Sequence, residues 1–325
     1  MAIKRMSVRN SAIVLTAANI VSQLFGFLYR ILLGRLIGAE GMGLFQLIFP
    51  FYNLFLSLAA TGLCVAVSRL SAEYLALQQY GAIKKLVSRA LLTFFLLFIL
   101  FSGLSLLFAE EIAVHFLGDE RTLLAVYALI PVIFFTGIEN LHKNFFYGTA
   151  TVLPPAISDI LEMTVRMSAV LLLLRLFLPV PDPKMLLLIV LGMLTCEIVS
   201  SLFLRTLYVR KTRGYAGRGA PDPNMKQKMR NIAVPISLSS FLNNILGSLM
   251  IVLIPRRLEA AGYTHAAALT MFGELFGMTL PLLTLPTAFI HGLSLMILPK
   301  VTENLALRDY KALDRQISKT VLVTS

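Results

Sequence analysis

The chain has 325 residues, 57% of them hydrophobic and 14% charged, with a formal net charge of +12. A soluble domain carries about a quarter charged residues and cannot keep this much apolar surface from water. A soluble enzyme and a nucleic-acid partner are therefore excluded. The cations sit between apolar runs, where they set orientation and meet anionic lipid.

The N-terminus is basic (Lys4, Arg5, Arg9) and leads into 19 uncharged residues at 11–29. That run is longer than a signal-peptide core and has no small-residue cleavage site after it, so it reads as a first membrane helix. Seven further apolar segments follow, giving 11–34, 44–67, 88–109, 122–146, 156–178, 185–208, 231–255 and 268–298. About 20 helical residues cross a bilayer, so the expected fold is an all-α, polytopic transmembrane helical bundle. The fifth segment is the least apolar, because Asp159, Glu162, Arg166 and Arg175 interrupt it. Pro50, Pro131, Pro281 and Pro286 lie inside apolar runs and predict kinks. A ninth segment begins near Thr320 and is cut off at Ser325, which reads as a truncated chain.

Charge asymmetry predicts topology. With the N-terminus cytoplasmic, the inner loops collect most of the 29 cations, while the outer loop at 109–121 is acidic. A basic linker rich in glycine and proline, at 211–230, divides a six-helix lobe (1–210) from the start of a second lobe (231–325). The second lobe resembles the first. Asn10, Gly26 and Arg35 match Asn231, Gly247 and Arg256 at one offset. The residues Glu73-Tyr74-Leu75-Ala76-Leu77 match Glu303-Asn304-Leu305-Ala306-Leu307 at another. Such a parallel repeat predicts two lobes facing each other across a cavity.

Charged residues inside membrane helices are costly and usually face a cavity or the bundle interior. In the fifth helix, Asp159, Glu162 and Arg166 share one face by their spacing. Arg30 and Arg35 lie in the first helix, and Arg256 occupies the place in the second copy that matches Arg35. Guanidinium groups fit phosphate through a planar, bidentate fork. These residues, Arg30, Arg166, Glu162, Arg35 and Arg256, are the candidate substrate-binding set. Glu139, Glu197 and Glu274 are single acids in apolar surroundings and candidates for a coupling ion. The adjacent Asn243 and Asn244 suit interhelical hydrogen bonding. The two cysteines, Cys64 and Cys196, lie in apolar runs and form no metal or disulfide motif. The sequence carries no P-loop, HExxH or GxSxG, and neither a cofactor nor a metal is implied.

Several stretches resemble the stage V sporulation protein B family. They are Leu24-Phe25-Gly26-Phe27, Arg30-Ile31, Arg35-Leu36-Ile37-Gly38, Glu40-Gly41 and Gly43-Leu44. Ser68-Arg69-Leu70 followed by Glu73, and Pro155-Ala156-Ile157-Ser158 with Glu162 and Arg166, resemble its later helices. The resemblance implies the multidrug/oligosaccharidyl-lipid/polysaccharide flippase superfamily, with a two-lobed fold of 12 to 14 helices like that of MATE transporters. About eight of those helices would be present here. It implies alternating access and transport of undecaprenyl-pyrophosphate-linked saccharides such as lipid II. Gln23 stands where related lipid II flippases often carry arginine.

The resemblance also implies the bacterial cytoplasmic membrane, with membrane lipids and wall-synthesis enzymes as neighbours. Two other readings stand beside a flippase. One is a cation-coupled multidrug antiporter using Glu139, Glu162 or Glu274. The other is a membrane enzyme of wall-glycan synthesis using Asp119 and Glu120.

Overall fold

A computed structural model describes residues 8–215 and 222–283, with side chains from residue 17 onward. The ninth segment, Pro286, and the second-copy residues Glu303 to Leu307 lie outside the described residues. Among the described residues the secondary structure is helical throughout. The helices are α1 (Val8–Leu47), α2 (Phe49–Leu56), α3 (Gly62–Ala76), α4 (Tyr80–Leu107), α5 (Ala109–Glu111), α6 (Leu123–Gly148), α7 (Leu153–Phe177), α8 (Asp182–Thr212), α9 (Met225–Ala260), α10 (His265–Phe272) and α11 (Leu280–Leu283). Three π-helical segments interrupt them, at Ser57–Thr61, Ile112–Leu117 and Gly273–Thr279. In lipid only helices and closed barrels satisfy every backbone donor and acceptor, and no strand occurs among the described residues.

Six stretches are long and apolar enough to cross a membrane. They hold seven of the eight expected segments in whole or in part, because residues 17–76 take in most of the first and all of the second as one stretch and the eighth is described only to Leu283. The fifth segment forms α7, a 25-residue helix kept out of that set by its charges. Within α1 two helical pieces meet at a turn at Gly38. Gly38 has φ 71° and ψ −178°, which a residue with a Cβ rarely adopts. The chain folds back there: a Cβ on Gly34 would lie 3.8 Å from Met42 Cγ. A straight helix would separate those two residues by about 12 Å along its axis.

The prolines serve different ends. Pro50 lies at the start of α2, where its missing N–H costs nothing, while Pro131 sits inside α6. The basic linker is mostly helical at its described ends, since α8 runs to Thr212 and α9 begins at Met225.

The helices pack as one bundle. Both α6 and α7 pack against α8, and α7 also packs against α1. A core of Phe55, Phe94, Phe145 and Phe146 with Leu86, Val126 and Leu129 fills the space between α2, α4 and α6. The outer face of α4 exposes Leu92, Leu96, Leu100 and Leu107, as suits a lipid-facing surface. The π segment at 273–279 lies directly on α1, where Gly43 and Gly273 let the two backbones touch. This contact brings Phe276 and Met278 over the first helix.

Candidate functional site

Six ionisable side chains from three helices converge in the bundle interior. Lys143 of α6 places its Nζ 2.9 Å from Glu139, 2.7 Å from Asp159 and 3.1 Å from Glu162. Arg166 of α7 donates to Glu162 at 2.5 Å and to Glu197 of α8 at 3.3 Å. Its Nε lies 3.5 Å from Cys196 Sγ. Ser158 donates to Glu139 at 3.1 Å, and Ser200 also donates to Glu139. The local sequence explains the geometry. Glu139 and Lys143, like Glu162 and Arg166, are four residues apart and share a helix face. The contacts of α8 with both helices then bring Glu197 to Arg166.

Four acids therefore face two cations, and the balance is not neutral. Glu139 and Glu197 are each 1% exposed. Glu197 Oε2 is buried and has no hydrogen-bond partner among the described residues.

Arg166 also borders a cavity of about 430 Å³. Ser22, Gln23, Tyr29 and Arg30 of α1 form its polar wall, and Phe45, Phe49, Met163 and Phe276 its apolar wall. The hydroxyls of Ser22 and Tyr29 are buried without a hydrogen-bond partner. A smaller pocket of about 260 Å³ adjoins it and is lined by Arg30, Arg35 and Met278. The geometry offers two guanidinium groups and two free hydroxyls beside an apolar wall, a set suited to an amphiphilic anion.

Of the candidates read from the sequence, Arg30 and Arg166 share the cavity, and Arg35 lies at its neighbour. Glu162, Glu139 and Glu197 join the buried cluster behind Arg166. Arg256 and Glu274 are not brought to it. Arg256 is exposed and donates to the backbone carbonyls of His115 and Phe116. Glu274 is exposed in the π segment. Asn244 donates to Ser240 of its own helix at 2.9 Å, so this bond is intrahelical. The neighbours that sequence reading missed are Ser22, Tyr29, Ser158 and Ser200. Small polar residues carry no periodic signal, and their convergence depends on helix packing.

A second ionic cluster ties α10 to the first six helices. Arg121 contacts Asp119 at 2.8 Å, Glu40 at 2.9 Å and Asp182 at 2.5 Å. His265 places Nε2 2.8 Å from Asp119 and Nδ1 2.5 Å from Glu259. Burial opposes ionisation of Asp119, but hydrogen bonds from Arg121 and His265 outweigh it and hold the carboxyl below its ordinary range. At the opposite end of α9, Lys228 bridges Glu73 (2.7 Å) and Asp222 (2.9 Å), and Tyr74 donates to Asp222 at 3.0 Å.

A family model described as polysaccharide biosynthesis protein matches residues 8–287. Stage V sporulation protein B of Bacillus subtilis (strain 168) is 28% identical over 319 residues, covering 95% of this chain and 61% of that protein. Lipid II flippase MurJ of the same organism is 26% identical over 341 residues, covering 95% and 60% respectively. The chain thus spans about three-fifths of the length of these relatives. Among solved structures, the inward-facing conformation of a multidrug resistance MATE family transporter of the MOP superfamily matches with a TM-score of 0.64 at 16% identity. That match covers 98% of this chain and 67% of the other, and it establishes a MATE-like fold.

Proposed function

The chain belongs to the polysaccharide biosynthesis protein family and carries six stretches able to cross a membrane among its described residues, and on that premise we propose that it flips an undecaprenyl-pyrophosphate-linked saccharide. The cargo would be a peptidoglycan or spore-cortex precursor, or a polysaccharide unit, crossing the bacterial cytoplasmic membrane by alternating access. The observation that carries this reading is the placement of Arg30 and Arg166 on one cavity with an apolar wall. Two guanidinium forks bind a pyrophosphate, and Tyr29 and Ser22 offer hydroxyls to it or to the first sugar. The prenyl chain stays in lipid.

In this reading residues 1–210 form the first lobe, 211–230 a cytoplasmic linker and 231–325 the opening of the second lobe, with the N-terminus cytoplasmic. Transport is favoured over glycan synthesis because, of the two outer-loop acids such an enzyme would use, Asp119 is already bound to Arg121 and His265, which leaves only the exposed Glu120. The test is the accessibility of lipid II at the outer surface of cells depleted of the protein and of any redundant flippase. Loss of outward lipid II is expected. Unchanged translocation overturns the reading.

A further inference from the structure

The ionic network around Arg121 is built from the connections between apolar segments. Glu40 lies in residues 35–43, Asp119 and Arg121 in 110–121, Asp182 in 179–184, and Glu259 and His265 in 256–267. With the N-terminus cytoplasmic, all four connections are on the outer side. Arg121 gathers Asp119, Glu40 and Asp182, which all precede the basic linker. His265, which follows the linker, has Asp119 2.8 Å from Nε2 and Glu259 2.5 Å from Nδ1. The imidazole thus joins the part of the chain after the linker to the part before it.

That geometry fixes the protonation of the ring. An ionised carboxylate only accepts hydrogen bonds, and a neutral imidazole has a single N–H. A ring with a carboxylate at each nitrogen needs a proton on both. Loss of one proton sets a nitrogen lone pair against a carboxylate. The side chain is 43% exposed, so water exchanges that proton freely. Arginine keeps its charge throughout, whereas histidine changes charge between about pH 5 and 8.

We propose that His265 is a proton-operated latch between the two lobes: its imidazolium holds the outer mouth shut, and its neutral form releases it. The inference rests on the reading of the chain as two lobes that work by alternating access. The closed state offers the ring two carboxylates, so it binds the proton more tightly than the open state, where histidine has its ordinary value of about 6.5. The hold is complete below that value and is lost as pH rises through the higher value of the closed state. Release of cargo to the outside is then easier in neutral or alkaline surroundings than in acid.

The neighbouring charges do not replace the ring. From α1, Glu40 reaches Arg121, and Asp182 at the start of α8 does the same. On α9, Arg256 donates to the backbone carbonyls of His115 and Phe116, a second tie between the lobes that does not titrate. The π segment packed on α10 brings Glu274, which is exposed. Glu120 and Arg257 are exposed as well, where water screens them.

The test measures the distance between the lobes by pulsed electron paramagnetic resonance on the protein in lipid nanodiscs. Spin labels are placed on Glu110→Cys and Ala261→Cys, both at exposed positions, with the buried cysteines replaced as Cys64→Ala and Cys196→Ala. From about pH 6 to pH 9, one linked proton raises the ratio of separated to closed lobes by up to about tenfold per pH unit. His265→Gln carries no charge and is expected to be more separated in acid, with no pH dependence. His265→Lys keeps a cation between the two carboxylates, as Lys228 does between Glu73 and Asp222, and is expected to stay closed throughout. The reference for separation is Arg256→Ala with His265→Ala, which removes both ties at exposed residues. If the reference separates while the wild-type ratio changes less than about twofold over the range, the proton latch is overturned and alternating access stands. Equal pH dependence in wild type and His265→Gln also overturns the latch. One unchanging distance in the wild type and the reference alike removes the moving lobes and the latch with them.

Discussion

Nη2 of Arg166 lies 2.5 Å from Oε1 of Glu162, one turn back on α7, and the same side chain borders the cavity. Its removal exposes two effects at once. Glu197 loses its cation while still buried, and Glu162 keeps only Lys143; leaving a buried charge unpaired typically costs about 3–5 kcal/mol. The cavity also loses a phosphate-binding fork. Arg166→Ala is expected to unfold at lower temperature in detergent and to lose transport. Arg166→Ala with Glu162→Ala is expected to recover much of the stability but no transport. A double variant that regains transport would separate Arg166 from substrate binding.

Lys143 allows a comparison of buried and exposed ion pairs. It serves three acids and is only 13% exposed, whereas Lys228 serves two and is 40% exposed. Exposed pairs contribute little because water screens them. Lys143→Met is expected to destabilise by about 3–5 kcal/mol, the range for an unpaired buried charge. Lys228→Met is expected to leave the unfolding temperature nearly unchanged. Equal shifts for the two variants would contradict the burial argument.

Asp119 predicts a pH effect of definite sign. Its folded carboxyl titrates below the ordinary value of 3.8. The stabilisation is therefore fully present above that ordinary value and is lost as pH falls below it through the folded value. Thermal unfolding followed from neutral pH into acid is expected to show this loss in the wild type. Asp119→Asn is expected to start less stable at neutral pH and to show a smaller acid-induced loss. A loss of equal size in both proteins would remove Asp119 from the latch with Arg121 and His265.

Much of this architecture is legible in the sequence, for physical reasons that differ by feature. Apolar runs report helices because lipid tolerates little else, and even α7 is visible through the helical spacing of Asp159, Glu162 and Arg166. The fold-back at Gly38 is marked only by a gap in the apolar pattern. The cluster is half legible: Glu139 with Lys143 and Glu162 with Arg166 are within-helix pairs, but the contact of Lys143 with Glu162 joins α6 to α7. Such contacts depend on how helices rotate against one another, which local sequence does not encode. Arg256 shows the reverse problem. Its place in the sequence repeat suggests a cavity residue, whereas its side chain serves the carbonyls of His115 and Phe116.

The last prediction concerns residues with no polar side chain at all. A Cβ on Gly273 would collide with the Ala39 carbonyl oxygen, and one on Gly43 with the Leu269 carbonyl oxygen. Backbone cannot yield as a flexible side chain can, so Gly273→Val must separate the π segment from α1. Overpacking of this kind costs about 1–3 kcal/mol or more. The separation would also move Phe276 away from Arg30 and Arg166, since all three line one cavity. Gly26 is the control: it borders the same cavity, yet nothing lies within 4 Å of a Cβ placed there. Within a helix, alanine is favoured over glycine by about 1 kcal/mol. Gly26→Ala is thus expected to match or exceed the wild type in unfolding temperature, while Gly273→Val falls below it and binds an undecaprenyl-pyrophosphate-linked saccharide more weakly. If Gly273→Val is as stable and binds as tightly as Gly26→Ala, the backbone contact between α1 and the π segment does not shape the cavity.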